Sequence, residues 1–121
     1  MMNSIVHTKI TPVPFEIGDA IYPLVFDMNV VAEIEEQYGS LDAWSEAIQS
    51  KAVGTIRDTL SILVCNAAED SKGKLKPYSP RELGKMLSLG DMSALGELIM
   101  EVFSAAMPNA EGDSSKNAVA E

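Results

Sequence analysis

Phe15-Glu16-Ile17-Gly18-Asp19-Ala20-Ile21-Tyr22-Pro23-Leu24-Val25-Phe26-Asp27-Met28 is the stretch in which the chain changes its period, and that change decides the fold. Its two β-branched and aromatic runs are separated by Gly18-Asp19-Ala20, a tight-turn composition, so a β-hairpin is expected over residues 13–26. Pro23 has no amide hydrogen for a ladder and must face outward, at an edge or a bulge. Asp27 stands where a helix N-cap belongs. Beyond it Val30, Val31, Ile34 and Tyr38 recur at helical spacing, while Glu33, Glu35 and Glu36 fall on other faces. Gly39 can supply the left-handed residue that closes this helix, and Ser40 can cap the next.

Four more helices follow by the same reasoning. Leu41 to Ile48 places Leu41, Trp44 and Ile48 on one face, and Val53 to Glu69 aligns Val53, Ile56, Leu60, Leu63, Val64 and Ala67 in a stripe that marks the central helix. Residues 70–78 hold Gly, Pro and the lysines 72, 74 and 76 without any period, and read as a loop. Ser79-Pro80-Arg81-Glu82 is a capping box with proline at the first helical position. The helix it opens carries Leu83, Met86 and Leu87 and is expected to stop at Gly90. Asp91 is then the expected cap of a last helix, Met92 to Met107, striped by Leu95, Leu98, Ile99, Val102, Phe103 and Ala106. The fold class is therefore α+β, mainly α: an N-terminal β-hairpin followed by about five helices. Residues 13–107 are expected to form a single globular domain, with a flexible N-terminus at 1–12 and a disordered C-terminal tail at 108–121.

Composition narrows the function. The chain has 121 residues, 46% hydrophobic and 22% charged, which are the values of a folding globular domain. Eighteen acidic against nine basic side chains leave a net charge of −9, which repels a phosphate backbone and argues against nucleic acid as a partner. The helix-turn-helix outline of 79–103 meets the same objection, because its second helix holds Asp91, Glu97 and Glu101 and no Lys or Arg. No apolar run reaches the roughly 18 to 20 residues that cross a bilayer, so a membrane role is not expected. Cys65 is a lone thiol in an apolar helical run, as a small core residue of a reducing compartment would be.

Reactive chemistry finds little to stand on. His7 is the single histidine and lies in the weakly patterned start. With one His and one Cys, a tetrahedral metal shell cannot be built without carboxylates, and Glu33 and Glu36 read more simply as a solvated helix face. The eight glycines are scattered and form no phosphate-cradling pattern. No enzyme activity and no cofactor are expected. What remains is surface for other proteins. The chain has seven methionines, and Met86, Met92, Met100 and Met107 fall in the last two helices, where they serve either as core filling or as an adaptable apolar surface. Candidate partner-binding residues are Tyr38, Trp44, Met86, Met92, Met100 and Phe103, and Met100, off the main stripe beside Ile99, is the best single candidate for an exposed contact.

The run Ile21-Tyr22-Pro23-Leu24-Val25-Phe26-Asp27-Met28-Asn29-Val30-Val31-Ala32-Glu33-Ile34-Glu35-Glu36-Gln37-Tyr38-Gly39-Ser40-Leu41 resembles the start of tail assembly chaperones of tailed bacteriophages and prophages. In that family a short strand ending in an aromatic residue leads into a helix with an early asparagine and an acidic stretch, closed by glycine. A leucine-rich helix, a Ser-Pro-x-Glu-Leu helix opening and a final apolar helix follow in the same order, so the resemblance spans residues 13–107. It implies a non-enzymatic role in the host cytoplasm: binding the tape measure protein, keeping it soluble, and giving way as tail tube protein polymerises around it. It further implies self-association into a homo-oligomer and absence from the mature virion. The rival reading is a structural virion component, such as a head-tail connector or tail completion protein.

Overall fold

The computed structural model describes residues 10–107. The expectations for residues 1–9, His7 included, and for 108–121 lie outside the described residues, and residues 10–12 lead into the first strand without regular structure. Strands β1 (Val13–Ile17) and β2 (Ala20–Leu24) pair antiparallel as a two-stranded sheet. Gly18 turns the chain with φ 59° while Asp19 keeps a negative φ, the pattern of a type II′ hairpin turn. Ile17 opposes Ala20 across that turn, so hydrogen-bonded and non-bonded pairs alternate outward from it and Pro14 meets Pro23 at a non-bonded pair. Neither proline deletes a rung. One face of the hairpin, with Ile17, Tyr22 and Leu24 buried and Val13 and Phe15 half-buried, lies on the helices; Pro14, Glu16, Ile21 and Pro23 form the outer face.

The helices are α1 (Met28–Tyr38), α2 (Leu41–Gln49), α3 (Val53–Asp70), α4 (Pro80–Met86) and α5 (Met92–Ala105). Caps set most of these boundaries. Asp27 Oδ1 accepts from Val30 N at 3.0 Å, Ser40 Oγ accepts from Ala43 N at 3.0 Å, and Ser79 and Glu82 complete a reciprocal capping box. Gly39 closes α1 at φ 87°, donating to Glu35 O at 2.8 Å. The end of α2 has the same logic with a less suitable residue: Ala52 N donates to Ala47 O and Lys51 N to Ile48 O, a Schellman pattern that puts Lys51 at φ 62°.

Helix α3 is the centre, touching β2, α1, α2, α4 and α5. Cover from so many sides buries Thr59, Ser61, Ile62 and Ala68 as well as the expected stripe of Ile56, Leu60, Leu63, Val64 and Ala67. Val53 departs from that stripe: in the first turn of α3, it is 49% exposed. Two further expectations are corrected. Helix α4 stops at Met86, before Gly90, and the chain makes a 3-10 turn over Leu89–Asp91. Asp91 does not cap α5 through its side chain, because Oδ2 accepts from Ser88 N at 3.1 Å and Ser88 Oγ at 3.0 Å, so it closes the 3-10 turn instead.

The segment 71–79 is a strap tied back to the core. Lys72 and Gly73 both take positive φ, and Ser71 Oγ accepts from Leu75 N at 2.9 Å. Tyr22 Oη donates to Lys76 O at 2.7 Å, and Ser61 Oγ donates to Tyr78 O at 2.7 Å. Irregular backbone over a buried helix thus finds its partners in side chains, and no buried side-chain nitrogen or oxygen among the described residues lacks one.

Candidate functional site

The sequence-predicted contact residues separate into two groups. Trp44 is fully buried, which corrects its assignment to a partner surface: its indole Nε1 donates to Thr59 Oγ1 at 2.9 Å, and its ring lies 5.2 Å from Phe26 and 5.4 Å from Phe103. Phe103 stands edge-on to Phe26 at 5.1 Å and is half-buried, so it closes this aromatic cluster at the surface. Tyr38 is half-buried at the end of α1 and packs on the core, and burial pushes its phenol above the ordinary range. Met92 is likewise half-buried against the core. Met100 is half-buried too, lining a slot of about 300 Å³ between α2 and α5 with Ile48, Lys51, Ser93 and Gly96. Met86 alone of the six is open to solvent, at 49% exposure.

Met86 does not stand by itself. Leu89, in the 3-10 turn just beyond α4, is 78% exposed, while Leu87 and Met92 on either side of it pack inward. The box between Ser88 and Asp91 explains this arrangement. It breaks the helical run after Met86 and turns Leu89 outward, where helical continuation to Gly90 would have kept one regular stripe. Periodicity does not register such a turn, although Ser88 and Asp91 at capping-box spacing were its signal. Among the described residues Met28 at 80%, Ile21 at 60% and Val53 at 49% are the other exposed large apolar side chains, on the first turn of α1, the outer face of the hairpin and the first turn of α3.

A larger concavity, about 960 Å³, runs between α1 and the strap with α3 as its floor. Ile62, Cys65 and Ala68 of α3 and Leu75 and Pro77 of the strap supply apolar surface; Asn29, Glu33 and Gln37 of α1 and Glu69 of α3 supply polar edges. Asp27 fixes the α1 side, since its Oδ2 accepts from Asn66 Nδ2 at 2.9 Å while Oδ1 caps α1. Cys65 Sγ donates to Tyr78 O at 3.4 Å, which ties floor to strap. Helix α1, helix α3 and the strap make this cleft together, and no single motif announced it.

Among the described residues no group of three or more His, Cys, Asp or Glu is placed to hold a metal ion, and no helix is long and apolar enough to cross a membrane. The arrangement offers shape and apolar contact. No family model, curated protein or solved structure matches the chain.

Proposed function

We propose that the protein is a tail assembly chaperone of a tailed bacteriophage or prophage, a non-enzymatic factor that binds the tape measure protein in the host cytoplasm and yields it to tail tube protein. The observation that supports this reading is the exposed apolar pair Met86 and Leu89, carried on a molecule of net charge −9. Flexible methionine and leucine side chains conform to many versions of an amphipathic partner helix, as a long and repetitive client requires. Repeated weak contacts along one client gain strength through effective concentration, which also favours self-association of the bound copies. The negative charge keeps the coated assembly apart from its neighbours and in solution.

Co-expression tests the reading. A tape measure fragment made with this chain is expected to stay in the supernatant and co-purify with it. Equal soluble yield of the fragment without the chain overturns the proposal, and stoichiometric copies in purified virions overturn it in favour of a permanent structural subunit.

A further inference from the structure

We infer that the cleft between α1 and the strap is a second docking surface, and that its occupant is a cationic amphipathic peptide segment. The apolar side of that segment would lie on Ile62, Cys65 and Leu75, with its lysines or arginines against Glu33 and Glu69. At about 960 Å³ and open to solvent, the cleft has room for several side chains of a passing segment. Its charge selects the occupant. Glu33, Asp58 and Glu69 line it, and among the described residues no Lys, Arg or His does. Asp58 is already paired with Arg57 at 2.9 Å, whereas Glu33 and Glu69 are exposed and enter no ion pair among the described residues. The strap lysines do not fill that role: Lys72, Lys74 and Lys76 are exposed, none lines the cleft, and Lys76 Nζ sits 5.0 Å above the Tyr78 ring. An apolar floor beside two unpaired carboxylates suits a segment that brings both an apolar side chain and positive charge.

This inference goes beyond the chaperone reading and does not depend on it, because that reading rests on Met86 and Leu89, neither of which lines the cleft. The test uses the full-length chain and two synthetic amphipathic peptides, one of leucine and lysine, the other with glutamate in place of every lysine. Cys65 is the only cysteine and lies half-buried on the floor, so its rate of reaction with a thiol reagent reports occupancy. The lysine peptide is expected to slow that reaction and the glutamate peptide to leave it unchanged. Fluorescence anisotropy should show Glu33→Gln with Glu69→Gln weakening the lysine peptide about tenfold, and the charge-matched pair Glu16→Gln with Glu101→Gln weakening it less than about twofold. Equal weakening by both pairs, an unprotected Cys65, or loss of peptide binding in Met86→Lys would overturn the inference. Peptide binding with these signatures alongside an insoluble tape measure fragment would uphold the cleft and sink the chaperone reading.

Discussion

The aromatic cluster and the segment 86–92 start from the same kind of residue and end in opposite places. Trp44 and Phe103 on one side, Met86 and Leu89 on the other, are all large apolar side chains on or beside helices. Trp44 goes inside because Thr59 waits there with an acceptor for its indole N–H at 2.9 Å and because Phe26 and Phe103 supply ring surfaces on two sides. Leu89 stays outside because Ser88 and Asp91 satisfy each other in a 3-10 turn and aim it at solvent. The lesson is that polar partners sort apolar residues. Hydrophobicity says that a side chain seeks cover, while the hydrogen bonds around it decide whether cover comes from its own chain or must come from another.

Substitutions can break or sharpen this contrast. The largest effect belongs to Trp44→Ala, which should cost about 3–5 kcal/mol in urea unfolding; a loss well under 1 kcal/mol would mean the cluster is not part of the core. Thr59→Val keeps the shape but strands the buried indole N–H, so about 1–3 kcal/mol should be lost, and Trp44→Phe should recover part of it in the double variant. Two groups outside both regions part on pH. Burial, with Tyr78 nearby, raises the Tyr22 phenol above its ordinary value of 10.0, so its contribution is complete below pH 10 and fades as pH climbs through the raised value. Glu82 runs the other way: the Ser79 backbone amide lowers its carboxyl, so its contribution holds above the ordinary glutamate value and fades as pH falls through the lowered one. Thermal melts of Tyr22→Phe and Glu82→Gln should flatten the alkaline and acid limbs respectively. The smallest stability change, within about 0.5 kcal/mol, is expected for Met86→Lys with Leu89→Ser, which should nevertheless lose the tape measure fragment in co-purification.

The hairpin and the helix starts were legible because their signals are local. Gly18 at a turn, Asp27 and Ser40 as caps, and Ser79 with Glu82 each act within a few residues of themselves, and each does so in the structure. The helix ends were less so. Lys51 takes a left-handed φ of 62° that sequence reading reserves for glycine, and the Ser88–Asp91 box ends a helical run that Gly90 was expected to end. The surfaces were least legible. Trp44 reads as a contact residue until Thr59, distant in sequence, is seen beside it, and the cleft needs α1, α3 and the strap before it exists. Helical periodicity finds the side that packs, but a groove between elements belongs to no one element.

The facing prolines of the hairpin bear on what its open borders can accept. Pro14 and Pro23 sit opposite one another where backbone amides would otherwise point away from the sheet, so each rim of the ribbon is short of a donor. A strand laid along either border would therefore find one amide donor fewer, which disfavours pairing between copies strand to strand. A single imino acid on each border thus guards the ribbon against edge-to-edge growth.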